Sequence, residues 1–304
     1  MRAFANYILR GRWSATLVVV TAAILSLVLP LLSSISSAAV ALVTLRHGAR
    51  EGGLIVLFST AVLLAVAAVM QQDGTGAFVT AGVLFAVLWL PVWLLSIVLR
   101  WSVSLPIALS FAGVIGLVAV TAMHVAMGDV YAWWRDVLDA GLGPILEQSG
   151  VPFKPGQIEE TFDILARSIT GVIGSALVIS MMIALFIGRW WQSLLFNEGG
   201  FQREFHALRL DKRIAYGALV LMGIALFADS GAGSIVQDLI VVVMTLFMIH
   251  GLGLLHGIVA AKGISGGWLV AVYILMVILP QLAFLLAIAG LLDSQFDFRS
   301  KIKA

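Results

Sequence analysis

Six side chains that could do chemistry lie within or at the edge of long apolar stretches: His124, Asp229, Asp238, His250, His256 and Gln281. A charged group at mid-membrane costs about 2.5–3.5 kcal/mol on insertion scales, so such residues mark substrate sites, ion sites or proton relays, or polar contacts that hold helices together. These six form the candidate substrate-binding set. Spacing limits what they can do on one helix. Asp238 and His256 share a helical face but stand five turns, about 27 Å, apart on it. His250 is turned by about 120° from Asp238. A carboxylate and imidazole pair therefore needs a partner from another helix. A second kind of signal is steric: Gly253 with Gly257, and Ala61 with Ala65, have the small-x-x-x-small spacing that lets helix backbones approach closely.

Catalytic patterns fail one by one. Gly263-Ile264-Ser265-Gly266-Gly267 fits the Gly-x-Ser-Gly of intramembrane serine proteases, but the general base would have to come from a later histidine and none follows His256. There is no His-Glu-x-x-His zinc pattern and no Gly-x-x-x-x-Gly-Lys-[Ser/Thr] phosphate loop. The absence of cysteine removes disulfides, thiolate metal sites and Cys nucleophiles together. The expectation is a non-enzyme with no catalytic residue, no metal and no cofactor.

The elements that carry these residues follow from composition. Of 304 residues, 61% are hydrophobic and 11% charged, against about 45–50% and 25% in soluble domains. A soluble globular protein and a disordered chain are both excluded. The net charge of +2 is too small for the basic stripe of a nucleic-acid binder, so no nucleic-acid partner is expected. The bilayer is the first partner.

A span needs about 20 apolar residues to cross roughly 30 Å of hydrocarbon. The uncharged run 14–45 would be about 48 Å long as one helix, and Pro30 breaks it. The reading is an all-α polytopic membrane helix bundle of about eight to nine transmembrane helices, forming one domain over 1–304. Its spans are about 14–29, 31–45, 52–70, 77–99, 102–127, 168–188, 214–229, 235–260 and 266–291. Short cytoplasmic loops carry the excess of Lys and Arg. Crossing twice in 14–45 gathers 12 of the 18 basic residues on one side, whereas a single crossing leaves 9 on each. The double crossing implies a cytoplasmic N-terminus. It places the tail cations Arg299, Lys301 and Lys303 outside, which keeps open an even number of spans with one re-entrant stretch.

Two hydrophilic regions remain. In the extracytoplasmic segment 128–167, net charge −4, Val130, Trp133, Trp134, Val137 and Leu138 make an amphipathic stripe. Gly141, Gly143 and Pro144 are expected to end that helix, and Ile158, Phe162, Leu165 and Ile169 to open another. The pair could lie on the bilayer surface or cover a cavity open to the outside. The cytoplasmic loop 189–213 holds five basic residues, which fix topology or dock a partner.

Leu45-Arg46-His47-Gly48 after the proline-broken hairpin, the basic run Phe205 to Arg213, the His250-Gly251-Leu252 region and the ending Gly290-Leu291-Leu292-Asp293-x-x-Phe296-Asp297-Phe298-Arg299 resemble the YybS-like family of bacterial inner-membrane proteins, a domain of unknown function. That family is distantly similar to the substrate-binding S components of energy-coupling-factor transporters. The resemblance implies a membrane-embedded, transport-related solute-binding subunit, served by an energising module or other membrane-protein partners. The alternative is a scaffold or assembly factor that binds other membrane proteins through its glycine and alanine faces.

Overall fold

A computed structural model describes residues 1–70, 79, 82–148, 156–227 and 230–302. The described elements are all helical: α1 (Arg2–Ile8), α2 (Arg12–Leu25), α3 (Leu32–His47), α4 (Ala49–Met70), a π-helical turn (Leu84–Trp89) running into α5 (Leu90–Ser102), α6 (Leu105–Met127), α7 (Val130–Gln148), α8 (Gln157–Phe196), α9 (Gly200–His206), α10 (Lys212–Phe227), α11 (Ser230–Ala261), α12 (Gly267–Ile278), α13 (Gln281–Phe296) and α14 (Phe298–Ile302).

Among the described residues, five helices are long and apolar enough to cross a membrane: α4, the π turn with α5, α6, α8 and α11. The count reaches six if α1 and α2, bent by 113°, make one span. This is fewer than the eight to nine expected, and length is the reason. The runs read as spans 14–29, 31–45 and 214–229 form helices of 14, 16 and 16 residues, and 16 residues rise only about 24 Å. The run 266–291 is not one helix. It breaks at Leu279-Pro280 into α12 of 12 residues and α13 of 16, because proline has no N–H for the helix to continue through.

Two other expected boundaries move. The α7 helix does not stop at Gly141 to Pro144 but continues to Gln148; Ala140 and Pro144 are both exposed, so water can take the hydrogen bond that the proline forgoes. The α8 helix runs 40 residues without interruption, about 60 Å, from the acidic segment into the basic loop.

The core is built around α3 and α8. Every residue of α3 from Ser36 to Leu45 is buried, and its small side chains let α8 come close. A Cβ on Gly188 would meet the Ala38 carbonyl oxygen at 3.0 Å. Polar groups in this dry core are paired in sequence: Trp89 Nε1 donates to Ser36 Oγ (3.0 Å), which donates to the Val19 carbonyl (2.7 Å). Around α8 pack α5, α6 and α11 through Leu95, Leu109, Val178, Met182, Leu185 and Phe247.

The ends of the bundle differ in charge. At one end Arg2 pairs with Glu198 at 2.6 Å, Arg100 donates to the Arg46 carbonyl at 3.0 Å, and Gln192 to the Leu45 carbonyl at 3.3 Å. The tail joins this end: Arg299 Nη2 donates to the Leu208 carbonyl at 2.6 Å and Arg209 pairs with Asp297 at 2.8 Å. Arg299 therefore lies on the same side as the basic loop 189–213, not opposite it as the nine-span reading has it. The break at Pro280 is the cause, since the chain leaves α11 beside His206 and returns at Asp297 to the same end. Two topology reporters, one ahead of Met1 and one after Ala304, are expected to read the same compartment. Opposite readings would overturn the shared end.

Candidate functional site

Each of the buried ionisable residues on α11 finds a partner on another helix. Asp238 is 3% exposed; its Oδ2 shares a hydrogen bond of 2.8 Å with His124 Nε2 of α6, and its Oδ1 accepts from the Gly171 amide at 2.8 Å. The second bond requires glycine in α8, because a Cβ there would stand 2.9 Å from the Asp238 Cα. The pair ties α6, α8 and α11 at the acidic end. Nearby, α7 is fastened to α8 by Trp134 Nε1 donating to Thr170 Oγ1 (2.8 Å) and by Tyr131 donating to Asp163 (2.8 Å). That last bond and partial burial hold the Tyr131 phenol above its usual pKa.

Three turns further along α11, His250 Nε2 meets Asp293 Oδ2 of α13 at 2.9 Å, both side chains fully buried. Asp297 has φ +47°, a left-handed conformation that aspartate tolerates better than most residues. This turn brings the Phe298 amide back to donate to Asp293 Oδ1 at 2.9 Å, with Arg299 Nε 3.7 Å from Oδ2. One carboxylate thus joins α11, α13 and α14. The helices are pressed together by glycine on both sides: a Cβ on Gly251 would collide with the Leu286 carbonyl, and one on Gly290 with that of Phe247.

His256 occupies the basic end. Its Nδ1 bonds the Leu252 carbonyl at 2.9 Å, which leaves Nε2 to accept from Tyr273 Oη at 3.4 Å. Gly253 and Gly257 serve contacts within the chain, since a Cβ at either would stand 2.8 and 3.0 Å from the Phe205 and His206 carbonyl oxygens. Ala61 and Ala65 lie exposed on α4. Gln281 is exposed at the start of α13, and Asp229 lies outside the described residues. The candidate set therefore separates into the Asp238 pair, the His250 pair and the His256 surroundings, and does not form one cluster. Among the described residues, no group of three or more His, Asp or Glu side chains is placed to hold a metal ion.

The site set read from the sequence leaves out Asp293, His206, Tyr273 and the arginines 203, 209 and 299, although Asp293 and Arg299 stand in the C-terminal pattern and Arg203, His206 and Arg209 in the basic loop. The signal for Asp293 is present: it is a single carboxylate in an otherwise uncharged helix, by the same reasoning that selected Asp238. Tyr273 carries no such mark.

The space around His256 is a cavity of about 780 Å³. Phe186 and Trp190 of α8, Phe201 and Phe205 of α9, and Tyr273 of α12 supply its apolar wall. Phe186, Phe201 and Phe205 pack on one another with ring centroids 5.2–6.0 Å apart. On the other side of His206 lies a second cavity of about 620 Å³, lined by Arg203, Arg209, Asp297 and Arg299. His206 and Ala260 border both. Burial, with smaller contributions from His256 and Arg299, holds His206 below its usual pKa, so its ring is neutral at pH 7. Both cavities open at the basic end, opposite the acidic segment 128–167 that the sequence reading lays on the bilayer surface or over a cavity open to the outside.

A family model described as "Predicted membrane protein (DUF2232)" matches residues 15–294. No curated protein and no solved structure matches the chain.

Proposed function

Since the chain belongs to the DUF2232 family of predicted membrane proteins, we propose that it is a non-enzymatic solute-binding subunit of a transport system. The bound solute sits in the aromatic cavity around His256. The cavity is the single observation that carries this reading: its 780 Å³ lies within the range of roughly 300–1,000 Å³ typical of ligand pockets, and its wall is apolar with a few convergent polar groups, as such pockets require. The resemblance to the YybS-like family, itself distantly similar to S components, implies the same kind of subunit. By the excess of Lys and Arg, the basic end is the cytoplasmic face, and the resemblance to the YybS-like family implies a bacterial inner membrane. An energising module would then dock on the 189–213 region.

The test is native mass spectrometry of the full chain extracted in mild detergent, with Ala260→Trp as the comparison. Ala260 is exposed on α11 and borders both cavities, so the indole fills space there without entering the core. A small solute is expected to remain with the wild type and to be lost from A260W. Wild-type protein that carries no solute, and shows no thermal shift with any candidate solute, would overturn the reading.

A second reading, a membrane scaffold, draws on the outward face of α4, where Ala61, Leu57 and Phe58 are exposed together. A membrane protein that copurifies with the wild type and is lost on Ala61→Leu would favour it.

A further inference from the structure

The two cavities beside His206 differ in chemistry and share two lining residues, His206 and Ala260. The larger is walled by aromatic rings, and the carboxylate at its rim, Glu198, is already paired with Arg2 at 2.6 Å. Part of its wall is α12, which contributes Leu269 and Tyr273 and has no buried residue, and whose Trp268 is 67% exposed. Trp190 lines the cavity from α8. Tryptophans of this kind sit at the headgroup level of a bilayer, so the cavity lies at that depth, with an apolar, loosely packed helix between it and lipid.

The smaller cavity has three guanidinium groups against the single carboxylate of Asp297 in its lining. Two of these arginines are fixed from behind. Arg209 donates to the Ser294 carbonyl at 3.2 Å besides pairing with Asp297, and Arg299 is held by the Leu208 carbonyl and Asp293. Arg203 makes no ion pair among the described residues; its polar partner is Asn197 Oδ1 at 3.3 Å. Guanidinium groups suit phosphate because their planar donors match its oxygens. A free anion has no use for an aromatic cavity next door, and an uncharged apolar ligand has no use for three arginines.

On the basis of the binding reading above, we propose that the ligand is an anionic amphiphile with a phosphate headgroup, a phospholipid-like molecule. Its phosphate lies among Arg203, Arg209 and Arg299, and its apolar part passes Ala260 and His206 into the aromatic cavity. The ligand enters from the bilayer past α12.

The experiment uses the full chain in a non-ionic detergent, with thermal shift and native mass spectrometry as readouts. The probes are dihexanoyl phosphatidic acid, dihexanoyl glycerol and inorganic phosphate. Phosphatidic acid is expected to bind and stabilise, and the other two to do neither at the same concentration. Arg203→Ala, an exposed side chain that holds no helix together, is expected to weaken phosphatidic acid binding about tenfold or more, as loss of one charge-assisted hydrogen bond implies. Equal binding of dihexanoyl glycerol, or binding of phosphatidic acid unchanged by R203A, would overturn the anionic headgroup while leaving the binding subunit standing. Equal binding of inorganic phosphate would overturn the amphiphile. If no probe binds and A260W leaves the spectrum of the purified protein unchanged, both this inference and the reading beneath it fall.

Discussion

Asp293→Ala is expected to cost on the order of 3–5 kcal/mol of stability, the range for removing one partner of a buried charged pair. The carboxylate is fully buried, two donors bond to it, His250 Nε2 and the Phe298 amide at 2.9 Å, and the Arg299 guanidinium lies 3.7 Å away as an ion pair. Truncation leaves both donors without an acceptor and takes from Arg299 its buried counter-charge. Replacing both members of the pair, His250→Leu with Asp293→Leu, should be less harmful than D293A alone, because the imidazole is then not left unpaired, although the Phe298 amide and Arg299 still lose Asp293. The half-exposed Asp297, paired with Arg209, is the contrast: Asp297→Asn, which suits the left-handed turn equally, should cost about 1 kcal/mol or less, as exposed ion pairs do. Thermal denaturation of the full chain in detergent, followed by intrinsic tryptophan fluorescence, measures all of these. A D293A protein that melts with the wild type would refute the central role given to this carboxylate.

Gly290→Val should be worse still, and is expected to yield no folded protein. The atoms that a Cβ at Gly290 would meet are the Phe247 carbonyl oxygen and the Gly251 amide nitrogen, which are backbone and cannot rotate aside. The two helices would have to separate, and separation pulls Asp293 away from His250. Size-exclusion chromatography of a fluorescent fusion gives the answer: a monodisperse peak for the wild type, aggregate or nothing for G290V. Gly217 and Gly223 on α10 provide the control, since a Cβ at either meets nothing within 4 Å. Alanine there should stay within about 1 kcal/mol of the wild type. A monodisperse G290V protein would show that the crossing of α11 and α13 is not close-packed through glycine.

Both substitutions fall on residues whose importance is only partly visible in the chain. Gly290 and Asp293 stand in a short pattern near the C-terminus, yet nothing local says that they face Phe247 and His250, 43 residues earlier in each case. The same holds for His124 and Asp238, separated by 114 positions. Helical spacing states which residues share a face of one helix and excludes contacts along it, as it does for Asp238 and His256. It has no information on which helix lies opposite.

The membrane makes this worse in a specific way. In a water-soluble bundle, apolar residues mark the buried side of each helix. Here lipid is as apolar as the core, so both sides read alike. Val178 is buried and Val172 exposed on the same helix, with no difference in residue type to tell them apart. What does stand out is size and charge. The small residues of α3 and the glycines of α8, α11 and α13 mark close approach, and the cations mark one end of the bundle.

From its residues alone, this chain is determined to be an all-helical membrane protein with its basic residues gathered toward one face, a proline-broken first hairpin, and a handful of buried polar groups. Those conclusions rest on local quantities: composition, the length of uncharged runs, and the cost of charge in hydrocarbon. Tertiary packing alone put the tail on the basic side, paired His250 with Asp293 and His124 with Asp238, and set the cavities around His206. Each of these depends on the distance between segments far apart in sequence, which side-chain packing across helices fixes and no periodicity encodes.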